Sequence, residues 1–157
     1  MLLWRIGSNS LPTKENLMFR LGSNDNPCPL CESDVETCTH LFFKCPIARA
    51  IWFAGRWGLK SYNAPVNTCE DIIKVVTYPL KHGMYGQQQN KEESLKLSLY
   101  MAFTSDVIWN LRNQILHNGG QDNITATTRN IENRFQEFAY AMESEKPFRV
   151  EGDDNGE

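Results

Sequence analysis

Cys28, Cys31, His40 and Cys45 fall within the eighteen residues "CPLCESDVETCTHLFFKC", together with Cys38. Their spacing is Cys-x2-Cys-x8-His-x4-Cys. Two cysteines two residues apart, with Pro29 between them, form a tight turn that aims both thiolates at one point. The turn's amides can also donate to the sulfurs. Zinc takes four N or S ligands at tetrahedral angles, and three cysteines plus one histidine supply them. Three thiolates on Zn2+ leave one net negative charge, which Lys44 and Arg49 partly offset. The expected cofactor is therefore Zn2+, in a closed structural site. A catalytic zinc needs an open position and a general base, and four ligands are already present. A redox dithiol is expected near a βαβ arrangement, and none is visible. The bland alternative is a set of buried reduced cysteines.

Cys38 is the alternative ligand. In place of His40 it would make the set all cysteine. His40 is preferred because the two stand only two residues apart, and one metal rarely takes both with good geometry. Cys38 is then a free thiol that can be exposed. The remaining cysteine, Cys69, lies far from the cluster and reads as a small buried apolar residue.

The elements that must position these residues read as helices. "LPTKENLMFRLG" is a short one, with Thr13 as cap, Leu17 and Leu21 on one face, and Gly22 closing it in a left-handed cap. "PIARAIWFAGRWGL" at 46–59 is a second, with Pro46 at its first position. Ile47, Ala50, Ile51 and Ala54 form its apolar face, with Trp52 beside them. "SYNAPVN" at 61–67 is a linker. "TCEDIIKVVTYPL" carries a capping box, Thr68-x-x-Asp71, ahead of about two helical turns. Its β-branched residues keep a strand as the alternative. The segment 81–90 reads as the least structured internal stretch and the expected site of proteolytic nicking.

Residues 91–118 give the strongest helical periodicity. Asn90 caps them, Leu95, Leu99, Ala102, Phe103, Trp109 and Leu116 recur at helical spacing, and "NGG" ends them. A last helix spans about 125–142, with Ile131, Phe135, Phe138 and Met142 on one stripe. The expected fold is mostly α: a small zinc-stapled subdomain followed by a helical, bundle-like part. The divisions are 1–60 (zinc-binding module), 61–90 (linker with one short element), 91–146 (two C-terminal helices) and 147–157 (a disordered acidic tail).

Composition narrows the classes. With 157 residues, 41% of them hydrophobic, the chain can bury a globular core. No run approaches the roughly eighteen apolar residues of a membrane span, and the N-terminus does not read as a signal peptide. The sequon "NIT" at 123–125 is then a chance match. Five cysteines, an odd number, exclude a complete disulfide set. An intracellular location, nucleus or cytoplasm, is expected. Net charge is −3, divided as +2 over residues 1–60 and −5 over 61–157. Neither part shows the clustered basic stripe of a strong nonspecific nucleic-acid binder.

Two stretches resemble a known family. Trp4, "LPTKENL" at 11–17, "RLG" at 20–22, "CPLC" at 28–31, Glu36-Thr37, "HLFFKC" at 40–45 and Trp52 look like the zinc-binding module downstream of the reverse transcriptase in plant non-LTR (LINE-type) retrotransposons. The resemblance covers about the first 55 residues. In that family two cysteines precede a Glu-Thr pair, then His and a final Cys, and Cys38 falls at a variable position. "DVIWNLRNQILHNG" at 106–119 is similar to the "W-x-x-RN" helix that joins this module to an RNase H-like domain. That domain is not found after the helix, and no polymerase carboxylate motif precedes Trp4. The resemblance implies a detached, retrotransposon-derived fragment with no catalytic residue.

Two functions follow. The first is a non-catalytic, zinc-stabilised nucleic-acid-binding module. Lys14, Arg20, Lys44, Arg49, Arg56 and Lys60 would contact phosphates of RNA or DNA, and exposed aromatics such as Trp57 would stack on bases. The second is a protein-interaction adaptor or homo-oligomerising module that uses the C-terminal helices. An enzyme is not expected. Asp106, Asp122 and Glu132 make no strand-borne constellation, and His82 and His117 lack a nucleophile.

Overall fold

The fold begins with a helix too short for periodicity to reveal. The computed structural model describes residues 2–86 and 90–145. Helix α1 (Leu2–Gly7) buries Ile6 and packs against α4 (Cys69–Thr77). The approach is close at Gly7, where a Cβ would sit 3.1 Å from Ile73 Cγ1. Helix α2 (Lys14–Leu21) starts where Thr13 accepts from the Asn16 amide at 3.3 Å. It stops at Gly22, in the left-handed conformation with φ 67°. Leu21 does not join the core and is exposed.

A π-helical turn (His40–Lys44) leads directly into α3 (Pro46–Ala54), which has proline in its first turn. The buried face of α3 is Ala48, Ile51 and Trp52, whereas Ala50 and Ala54 are exposed. The expected face is thus rotated. Trp52 causes this: its ring stacks on Phe43, with centroids 5.4 Å apart, and its indole N–H donates to the Phe42 carbonyl at 2.7 Å. A buried indole brings more contact area than two alanines. A 3-10 turn (Ser61–Asn63) follows, and Ser61, Ala64 and Val66 are buried within 61–67.

Helix α4 resolves the helix-or-strand question in favour of helix. Thr68 Oγ1 accepts from the Asp71 amide, and Asp71 Oδ2 accepts from the amides of Asn67 and Thr68 at 2.9 Å. These amides, Asn67's first, hold the Asp71 carboxyl below its usual range. Ile72, Val75 and Val76 then fall on one helical face and are buried.

Helix α5 (Lys91–Asn118) is capped by Asn90, whose Oδ1 accepts from the Glu93 amide. Its buried face runs through Leu97, Tyr100, Met101, Thr104, Ser105, Ile108 and Arg112. Of the expected stripe only Trp109 is buried, while Leu95 and Leu116 are exposed. The cause is polar residues inside the core. Thr104 and Ser105 donate to the carbonyls of Tyr100 and Met101 at 2.8 and 2.9 Å, so their hydroxyls enter the interior satisfied. Helix α6 (Ile124–Ser144) buries Ile131 and Phe135 and packs on α5 and α3. Phe138 and Met142 of its expected stripe remain partly exposed.

Among the described residues the fold is helical, with no strand and one isolated β-bridge between Pro27 and Val35. One hydrophobic core runs from Ile6 and Leu11 through Phe42, Phe43 and Trp52 to Tyr100, Ile108 and Phe135. No described helix is long and apolar enough to cross a membrane. The tail at 147–157 and residues 87–89 of the expected nicking segment lie outside the described residues.

Candidate metal centre

The first two cysteines sit on a narrow loop. The Cys28 amide donates to the Asp34 carbonyl at 2.7 Å and the Glu36 amide to the Asn26 carbonyl at 2.9 Å, which closes residues 26–36 into a miniature antiparallel ribbon. At its tip the Glu32 amide donates back to the Cys28 carbonyl at 2.8 Å, with Glu32 itself at φ 56°. This turn brings Cys28 and Cys31 to the same side.

The other pair depends on the π-helical turn. Along an α-helix, residues five apart point about 140° away from each other. Here the Cys45 amide donates to the His40 carbonyl at 2.7 Å, a wider i to i+5 closure that keeps both side chains near one face. Thr37 Oγ1 opens the turn by accepting from the His40 amide at 3.0 Å. Two carbonyls of the turn find partners elsewhere, Phe42 from Trp52 Nε1 and Phe43 from Ser61 Oγ at 2.8 Å.

The ligand atoms of Cys28, Cys31, His40 and Cys45 all lie within 4.8 Å of one another. Cys28 Sγ and Cys45 Sγ are 4.0 Å apart, and Cys31 Sγ is 3.3 Å from His40 Nε2. Ligands about 2.3 Å from a tetrahedral zinc stand about 3.8 Å from each other, so the spacing of this donor set fits that ion. With protons in place of a cation, the Cys28 thiol is pushed up to about 12, first by its hydrogen bond to Cys45 and then by burial. Cys45 is held below the usual thiol range by the same hydrogen bond, helped by the Ala48 and Ile47 amides at the start of α3. His40 is raised to about 9, chiefly by its hydrogen bond with Cys28.

Residues 1–52 match the family described as zinc-binding in reverse transcriptase. No curated protein and no solved structure matches the chain. The matched segment contains all four cluster residues and ends at Trp52 of α3.

Cys38 stands apart from this set. It is buried rather than exposed, and the sulfur beside it belongs to Cys69. Burial first, then Cys69, pushes its thiol far up. Both thiols belong to the packing between residues 1–52 and α4.

A second polar centre backs the metal cluster, and sequence reasoning did not pair its members. Glu36 accepts from Arg112 Nε at 2.6 Å and Nη2 at 2.8 Å, and from the Lys14 amide at 2.7 Å. Arg112 also donates to the Pro12 carbonyl and to Asn113 Oδ1, and its guanidinium lies 4.9 Å from the Trp109 ring centroid. The Glu-Thr pair thus serves two ends: Glu36 anchors α5 and α2, and Thr37 starts the turn that carries His40. The motifs "ET" and "W-x-x-RN" were visible separately, but nothing in a linear sequence joins them.

The basic residues singled out by sequence divide into two groups. Lys14 Nζ pairs with Asp25 at 3.1 Å, and Arg56 pairs with Glu132 and lies over Phe135. Arg20, Arg49 and Lys60 are exposed, and Lys44 is half-buried. Trp57 stands otherwise than expected. It is half-buried, with edge contacts to Tyr100 and Phe135 at 5.0 and 5.8 Å, and so is engaged in packing.

Proposed function

We propose that this chain is a non-catalytic, zinc-stabilised nucleic-acid-binding module derived from a retrotransposon reverse-transcriptase polyprotein. The observation that carries the reading is the convergence of three thiols and one imidazole in a segment that matches the zinc-binding family. Four protein ligands complete a tetrahedral set, which suits an ion that holds structure in place. Zinc bound there would be gripped by Cys28, Cys31, His40 and Cys45, and its charge would set the order of the loop and the turn. A parent enzyme that copies nucleic acid supplies the partner class. Native mass spectrometry of the intact protein tests the first half: one zinc per chain is expected, and a metal-free folded chain overturns it. Titration with RNA and DNA at several salt concentrations tests the second, since phosphate contacts make log K fall linearly with log salt.

One observation favours a protein-interaction adaptor as the second reading. Leu95 and Leu99 of α5 and Phe138 and Met142 of α6 line a partly open apolar groove. A mass that rises with protein concentration would support it.

A further inference from the structure

We propose that the groove between α3 and the Ser61–Asn63 turn seats a single-stranded nucleic acid, a placement that rests on the nucleic-acid reading above. The groove measures about 500 Å³ and is lined by Arg49, Phe53, Lys60 and Tyr62 around a floor that includes Leu59 and Ser61. No acidic residue lines it.

Charge is the first argument. The chain carries −3 overall, yet residues 37–69 contain four Lys/Arg and no Asp or Glu. Lys14, Arg56, Lys96, Arg112 and Arg134 each pair with a carboxylate, and within 37–69 Arg56 alone does so. Among the described residues, Arg49 and Lys60 form no ion pair. Both are exposed at the groove. Their charge is open to phosphate.

Aromatic exposure is the second. Phe53 of α3 and Tyr62 of the Ser61–Asn63 turn both line the groove and are 62% and 59% exposed, whereas Trp52 and Phe43 are buried. The Arg49 guanidinium lies 4.7 Å from the Tyr62 ring centroid. Exposed rings beside unmatched cations are the two components of a single-strand platform, where bases stack and phosphates meet charge. A duplex keeps its bases stacked on each other and offers this groove only backbone. The groove is also tied to the metal centre, because Ser61 Oγ donates to the carbonyl of Phe43 in the turn between His40 and Cys45.

The test is fluorescence anisotropy with labelled oligouridine and oligothymidine of about twelve nucleotides and a duplex of equal length, using the zinc-loaded full chain. Tight single-strand binding and weaker duplex binding are expected, and the preference between the uridine and thymidine probes reports RNA against DNA. The double variant Arg49→Glu, Lys60→Glu should weaken single-strand binding at least about tenfold and flatten the salt slope by about one to two. The double variant Phe53→Ala, Tyr62→Ala should weaken it about tenfold with the slope kept. Lys74→Glu, exposed on α4, should leave it unchanged. All four groove side chains are exposed, and zinc content with far-UV circular dichroism verifies that the variants fold. If the wild type binds and both groove variants bind equally well, the groove is wrong and the nucleic-acid reading survives. If the wild type binds no probe at low salt, both fall.

Discussion

Glu36 and Arg112 stand 76 positions apart in the chain and share two charge-assisted hydrogen bonds inside the protein. The pair joins the last residues of the cysteine ribbon to the C-terminal third of α5. Both side chains are almost wholly buried. A buried ion pair is costly to form, and removing one partner leaves the other charge without compensation. Arg112→Met should therefore destabilise the fold by about 3–5 kcal/mol. Urea denaturation checks this, and the double variant Glu36→Gln, Arg112→Met should cost less than the two single losses combined. Strict additivity would mean that the two residues do not act together.

Metal removal should be felt beyond the cluster. Zinc can contribute on the order of 10 kcal/mol in small zinc domains. The ribbon at 26–36 is closed by three backbone hydrogen bonds, and the π-helical turn carries the ligands His40 and Cys45 at its two ends. Excess chelator should lower the far-UV helical signal and expose the buried Trp52, read as a red shift in fluorescence. An unchanged spectrum would remove the metal from the account.

Zinc uptake should release protons. Cys28 is held protonated up to about pH 12 by Cys45 and by burial, and His40 up to about pH 9 by Cys28. The ion takes the thiolate and the neutral imidazole, so both protons leave near neutral pH. Zinc affinity should weaken steadily as pH falls, and a weakly buffered titration should show acidification.

Cys38→Ala should keep one zinc per chain, because the Cys38 sulfur packs beside Cys69 away from the four ligand atoms. Cys28→Ser and Cys45→Ser should lose it. Loss of zinc from the Cys38 variant alone would overturn the ligand set.

The Glu132–Arg56 pair gives a small pH signature. Arg56 holds the Glu132 carboxyl below its usual range. A depressed folded value contributes stability fully above the unfolded carboxyl pKa of about 4.3, and that contribution is lost as pH falls through the folded value. For a partly exposed pair it is at most about 1 kcal/mol. Between about pH 5 and about pH 3 the wild-type Tm should fall slightly more than that of Glu132→Gln.

Local chemistry made much of the molecule legible before folding was considered. Thr13, Gly22, Pro46, the Thr68–Asp71 box and Asn90 mark helix ends through bonds to their own neighbours, so their signals survive in one dimension. The Cys-x2-Cys and His-x4-Cys spacings are likewise short-range, and the mostly helical class follows from periodicity over α5 and α6. Tertiary structure alone decided what lies across the chain. It turned α3 inward on Trp52, admitted Thr104 and Ser105 to the core, buried Cys38 beside Cys69, and set Arg112 against Glu36. Each of these depends on which surfaces meet and which buried polar atoms find partners. Sequence patterns describe a residue's neighbours along the chain, whereas burial is settled by residues as far as 76 positions away.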